Sequence, residues 1–299
     1  MKKSISSIMV ILAAVLWGTM GIWVRHMESY GFTSMELVLI RCIGTAVLMT
    51  LFLLIYNRSL FKIRLKDIWC FFGTGVISIV FFSYCYFTTI TLTNLSVAAV
   101  LLYTAPAFVA VMSAIFFKER MTLGKLLALL AALIGCVFVS GILKGNFTLP
   151  LSGLLLGLGS GIGYALYSIF GRFAINRGYH SFTITLYTFY LALPGALFLA
   201  KPGVMLAKLA THPESAWYAL GVVVVTTVLP YIFYTLGLSG MEAGRASILA
   251  CVEPLTASVI GIVLYKEVPD AITLIGILLV LSATVFVNIK NFCLHSVKK

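Results

Sequence analysis

The chain has 299 residues, 61% of them hydrophobic and only 10% charged, with 21 Lys and Arg against 9 Asp and Glu. Soluble domains run nearer 45–50% apolar and about 25% charged, and apolar runs of about 18–22 residues, long enough to cross a ~30 Å hydrocarbon core, recur along the whole chain. A soluble domain, with or without a single anchor, is therefore excluded. The net charge of +12 would suggest nucleic acid in a soluble chain, but here the charges are spread over the connections between apolar runs and no nucleic-acid partner is expected.

In chain order the apolar runs predict ten membrane spans, at about 7–24, 34–56, 68–87, 96–117, 123–140, 150–170, 181–200, 216–237, 246–265 and 271–288. The first follows "MKKSISS" and is too long for a usual signal-peptide core, with no small-x-small cleavage site after it, so it reads as a retained helix. Counting spans sorts the Lys and Arg residues: fifteen fall on the side of the N-terminus, five on the other, and Arg41 lies inside the second span. The positive-inside rule then puts both termini in the cytoplasm, as an even number of spans requires. The six cysteines are scattered without metal-type or disulfide-type spacing, and no metal is expected. The loop at 200–216 reads as a connector, with a short interfacial helix as the alternative.

The second half repeats the first. Pro106 and Pro254 coincide at an offset of 148, as do Lys118 and Lys266, Glu119 and Glu267, Tyr86 and Tyr234, and Thr122 and Asp270, the last pair being good N-caps for the following spans. Earlier in each half the offset is 147, pairing Trp17 with Tyr164, Arg25 with Arg172, Gly31 with Gly178 and Ser34 with Ser181, the two serines being the expected caps of the second and seventh spans. Residues 1–141 and 142–299 thus read as two copies of a five-helix unit. Five is odd, so the copies cross the bilayer in opposite senses. The predicted fold class is an all-α polytopic membrane protein with ten transmembrane helices in two inverted five-helix repeats, an architecture of secondary transporters whose substrate site lies near the midplane.

The stretches "LWGTMGIWVR" (16–25), "LIRCIGTAVLM" (39–49), "NLSVAAVLLYTAPAFVAV" (94–111) with its "FFKERMT", and "EAGRASILACVEPLTASVIGIVLYKE" (242–267) resemble the drug/metabolite transporter superfamily, specifically tandem EamA-type domains. The resemblance covers nearly the whole chain. It implies ten helices, a central cavity lined by spans one to four and six to nine, and peripheral fifth and tenth spans; it does not specify a substrate.

Glu253 is the sharpest candidate for substrate or coupling chemistry. An acid at mid-bilayer costs about 2.5–3.5 kcal/mol on insertion scales, yet Glu253 lies about 10 Å deep, and its repeat counterpart is Ala105, so the fold does not demand an acid there. It either binds a cationic group or proton or braces the neighbouring proline. Pro106 and Pro254 would each free the carbonyl four residues earlier, on Leu102 and Ala250, as paired helix breaks. Arg41, at similar depth from the other face, is read either as a contact for an anionic group or as a fold-stabilising group, and a direct bond to Glu253 is not expected. Trp17 and Tyr103, near mid-span, and the repeat pair Tyr86 and Tyr234 are the aromatic candidates for a cavity suited to an amphipathic organic solute. Glu36, two residues after Ser34, is read as helix-capping charge. "GLGSGIG" (157–163) is not a phosphate loop; Gly157 with Gly161 and Gly159 with Gly163 are GxxxG steps for close helix approach.

These readings predict an alternating-access carrier in the cytoplasmic (inner) membrane, without a cofactor because no nucleotide-binding motif is present. Its partners are a small organic metabolite, membrane lipid and a coupling proton or cation; a homodimer is left open. Family resemblance puts amino acids, amines and related compounds first, and export ahead of uptake. The alternatives are a carrier or flippase for sugar-linked or lipid-linked cargo, which only Arg41 would help to bind, and an intramembrane enzyme, for which no catalytic cluster is found.

Overall fold

The computed structural model describes residues 3–144, 149–266 and 268–296. The expected landmark Glu267 lies outside the described residues. The elements are α1 (Ser4–Ser29), α2 (Ser34–Tyr56), α3 (Leu65–Leu92), α4 (Leu95–Phe117), α5 (Leu123–Val139), α6 (Leu151–Asn176), α7 (Ser181–Leu199), α8 (Pro202–Thr211), α9 (Ser215–Ser239), α10 (Ala243–Tyr265) and α11 (Ala271–Ser296), with no strand among the described residues. Eight of these are long and apolar enough to cross a membrane. The sequence reading of ten spans meets two shorter apolar helices at the fifth and tenth places, α5 and the stretch Ala271–Phe286 of α11; seventeen residues at 1.5 Å each give α5 a length of about 25 Å. These two pack on each other, Gly135 against Gly276, where a Cβ on Gly135 would stand 2.9 Å from the Gly276 carbonyl oxygen. The connector at 200–216 is largely helical, as α8.

Contacts sort the helix ends into two groups. At the N-terminal end of the bundle, Arg245 donates to Ser7, Glu119 accepts from Ala243 and Gly244, and the 58–67 segment meets the α6–α7 connection through Arg64, Asp67, Arg177 and Tyr179. At the opposite end, Lys208 of α8 ties to Glu36 at 2.7 Å and to the Gly31 carbonyl, while His26 stacks on Tyr218.

Backbone features recur at the repeat offsets. Lys118 and Lys266 end α4 and α10 in the left-handed region, with φ of 54° and 55°, and Gly31 and Gly178 follow α1 and α6 with φ of 79° and 85°. α3 contains a π-helical stretch at Gly73–Phe81 and α9 one at Val224–Val228. α4 is interrupted at Tyr103 and Thr104, and α10 at Cys251. The two prolines explain these interruptions differently from the expected mid-helix kink. Pro106 and Pro254 lie in the first turn of the resumed helices, Ala105–Phe117 and Val252–Tyr265, where a missing N–H costs little. α1 is also interrupted, at Thr19, a break that no proline announces.

Other local expectations shift by small amounts for clear reasons. The caps of α2 and α7 are Thr33 and His180, one residue before the expected serines: Thr33 Oγ accepts from the Glu36 N–H while the Glu36 carboxylate accepts from the Thr33 N–H, a capping box. Thr122 and Asp270 accept from the backbone of Lys125 and Thr273. Arg41 is not alone within a helix, since Arg25, Arg172 and Arg245 also fall inside α1, α6 and α10 once the helices run past their apolar cores.

Candidate functional site

The site is assembled where the interrupted helices meet. Gly18, one residue before the break in α1, lets that helix touch α10: a Cβ there would sit 2.5 Å from Thr256 Cβ and 2.7 Å from the Glu253 carbonyl oxygen. The close approach brings the α1 break beside the first turn of the resumed half of α10, and Trp17 precedes Gly18 in α1. Glu253 lies in the first turn of the resumed half of α10, where the positive end of a helix dipole favours a carboxylate. It is ten residues from the start of α10, about 15 Å along the axis, and half-buried rather than sealed. Its Oε2 accepts a hydrogen bond of 3.0 Å from the Tyr164 hydroxyl. Tyr86 and Tyr103, on α3 and α4, are half-buried and within electrostatic reach of the same carboxylate.

A ring cluster continues inward from this acid. Trp17 packs edge-on against Tyr164 at 6.3 Å and Tyr231 at 5.3 Å, and tilted against Tyr234 at 5.4 Å. Tyr167 meets Tyr231 edge-on at 5.0 Å, and Phe82 joins Tyr164 to Tyr86 at 5.7 and 5.8 Å. The buried hydroxyls are matched: Tyr234 with Ser168 at 2.6 Å and Tyr167 with Thr235 at 3.1 Å. On the far side of Tyr231, the buried Arg41 donates Nε to Thr227 at 3.0 Å, and its charge acts on Tyr231 and on Glu253. Among the described residues no ion pair joins Arg41 to Glu253.

The structure thus brings Glu253, Trp17, Tyr234, Tyr86, Tyr103 and Arg41 to one region and leaves the side chains of Pro106 and Pro254 buried beside it. Tyr84, two residues before Tyr86 on α3, is 45% exposed and makes no hydrogen bond or ring contact with this cluster among the described residues. The glycines of α6 divide by face: Gly157 and Gly161 meet Leu101 and Thr104 of α4, whereas Gly159 and Gly163 meet Cys85 and Phe82 of α3. Sequence reading passed over Gly18, Thr227, Phe82 and Ser168; only Gly18, in "WGTMG", carried a visible signal, a small residue beside a candidate aromatic.

Glu119 has a part that its local motif did not reveal. It accepts from the N–H groups of Ala243 at 2.7 Å and Gly244 at 3.2 Å, capping the start of α10 from the end of α4. Lys125 pairs with Glu242 beside it. A surface cleft of about 430 Å³ lies beside this cap, lined by Phe116, Phe117, Lys118, Glu119, Arg172, Asn176 and Glu242.

With this geometry in view, comparison with known proteins assigns the chain. The EamA-like transporter family model matches residues 4–141 and again residues 151–289. The chain belongs to the EamA-like transporter family and is a multi-pass membrane protein. It is similar to an uncharacterized transporter of Archaeoglobus fulgidus, 28% identical over 271 residues that span 89% of this chain and 90% of the relative. It is likewise similar to the uncharacterized inner membrane transporter YicL of Salmonella typhimurium, 26% identical with 94% of each chain covered, and to the uncharacterized transporter YdfC of Bacillus subtilis, 26% identical with 87% of this chain and 83% of the relative covered. A protein of known crystal structure shares the fold, with a TM-score of 0.77 at 15% identity, over 97% of this chain and 99% of that one.

Proposed function

We propose that this transporter is a secondary-active carrier for a small amine or amino acid, working by alternating access and exporting its substrate across the cytoplasmic membrane. In this reading α5 and α11 also span the bilayer, giving ten spans in two inverted repeats, residues 1–141 and 142–299, with both termini cytoplasmic. The fifteen-to-five division of basic residues supports that orientation.

The observation that carries the reading is the half-buried Glu253 at the break in α10, hydrogen-bonded to Tyr164, on which Trp17 packs, with Tyr86 and Tyr103 within electrostatic reach. A desolvated ammonium is held by a carboxylate and by ring faces. Arg41, across the ring cluster, gives the same region a cation that a substrate carboxylate would meet. Glu253 takes either the substrate ammonium or a proton, so loading from one side and release on the other exchanges the two.

The test begins with a screen of amino acids, amines, nucleosides and sugars for ligands that raise the melting temperature of the purified protein. The best ligand is then followed in proteoliposomes with and without a pH gradient. Glu253→Gln should abolish the dependence of flux on the gradient. Undiminished proton-driven flux in that variant rules out the coupling role.

A further inference from the structure

Arg172 and Arg25 occupy equivalent places in the two halves, offset by 147 near the ends of α6 and α1, yet they do different things. Arg172 Nη1 donates to the carbonyls of Leu238 at 2.7 Å and Met241 at 2.9 Å. Those carbonyls belong to the last turn of α9 and the α9–α10 turn, so Arg172 fastens α6 to that turn at the N-terminal end of the bundle. The matching acceptors for Arg25, at the offset of 148 that holds in this part of the repeat, are the carbonyls of Ile90 and Thr93, where α3 turns into α4. Arg25 donates to neither: it is exposed, lies over the Tyr265 ring at 4.2 Å and makes no hydrogen bond among the described residues.

A contact made in one copy and missing in the other is what distinguishes the two ends of a molecule built from inverted repeats. We propose that Arg172 and Arg25 are alternating latches. Arg172 holds the cytoplasmic end shut in the conformation described here. In the opposite conformation Arg172 lets go, and Arg25 leaves the Tyr265 ring to donate to the carbonyls of Ile90 and Thr93, closing the outer end. The proposal rests on the inverted-repeat, alternating-access reading, and it adds to that reading the groups that exchange. Main-chain carbonyls suit the task, because a guanidinium bond to them needs no charged partner that would have to be desolvated in each half of the cycle.

The experiment measures access from each side and needs no substrate. The six native cysteines are replaced, a reporter is placed at the α4 break as Thr104→Cys, and a membrane-impermeant maleimide is applied to right-side-out and inside-out vesicles. Arg172→Ala should raise the ratio of cytoplasmic to outer labelling about tenfold, which corresponds to about 1.4 kcal/mol. Arg25→Ala should lower the same ratio by a similar factor, and Arg172→Lys should lie between Arg172→Ala and the parent. Because Arg25 is exposed and makes no hydrogen bond among the described residues, its variant should fold and decides the matter even if Arg172→Ala does not. Equal ratios in the parent and Arg25→Ala, or both alanine variants moving the ratio the same way, would overturn the latch assignment. Cysteines at positions 62 and 173 labelling from opposite sides would instead overturn the inverted-repeat reading, and the latches with it.

Discussion

The four glycines of "GLGSGIG" make one helix a ruler for packing. A methyl group on Gly161 would lie 2.7 Å from Thr104 Oγ1 and 2.9 Å from the Leu101 carbonyl oxygen, at the break in α4 where the backbone has no slack. On Gly157 it would meet Leu101 at 2.2 Å, and on Gly163 it would meet Phe82 Cβ at 3.0 Å. On Gly159 the nearest atom is Cys85 Sγ at 3.4 Å, an ordinary contact. Overpacking costs about 1–3 kcal/mol, and replacing a mid-helix glycine with alanine returns roughly 0.5–1 kcal/mol. Gly161→Ala should therefore destabilise by about 1–2 kcal/mol net, Gly157→Ala by a similar amount, and Gly163→Ala by less. Gly159→Ala should be neutral or stabilising by up to about 0.5–1 kcal/mol. Thermal unfolding of the four purified variants in one detergent reads the order, at about 2–4 °C per kcal/mol. A Gly159→Ala protein melting below Gly161→Ala would refute the assignment of these glycines to separate neighbours.

Three further outcomes are expected. Glu119→Ala removes both acceptors from the start of α10 and should lower stability by about 1–2 kcal/mol, with Glu119→Gln recovering part of the loss in the same melt. Asp67 bonds Arg64, Arg177 and Tyr179, so Asp67→Asn should lower the melting temperature, by less than the loss of a sealed ion pair would because Arg64 is well exposed; an unchanged melting temperature would argue against the network. His180 caps α7 by accepting from the Phe182 N–H, and partial burial lowers its pKa from the ordinary value. A base with a depressed folded pKa stabilises the fold while neutral and loses that contribution as pH falls through the unfolded value of about 6.5. Melting temperature should thus fall between about pH 7 and 5, and His180→Asn, which caps at any pH, should flatten that dependence.

Much of this protein was legible before any coordinates. Hydropathy marks the membrane-length helices, because a lipid-facing segment must satisfy its own backbone, but not α8 in the 200–216 connector. The proline and lysine landmarks point to the sites where α4 and α10 break and end, because a proline sits cheaply only where a helix begins anew. Glu253 stood out because an acid in hydrocarbon needs a reason. What stayed hidden depends on partners distant in sequence. Glu119 reads in the sequence only as a repeat landmark beside Lys118 until α10 arrives with two N–H groups that it accepts from. Arg172 and Arg245 look like loop charges until the helices prove longer than their apolar cores. The π-helical stretches of α3 and α9 leave no trace in composition, since they change hydrogen-bond register rather than residue type.

The interruption of α1 at Thr19 has no counterpart in α6, which runs unbroken from Leu151 to Asn176. A jointed rod bends at its joint, whereas a rigid one can only swing as a whole. The two halves therefore cannot be mechanical mirror images, whatever their common pattern. Deformation in the first half concentrates beside Trp17, next to the ring cluster, while in the second it is passed along to the ends of the rod. Under the alternating-access proposal, filling the site from one side would strain a different part of the molecule than filling it from the other, and forward and return journeys would run at different paces.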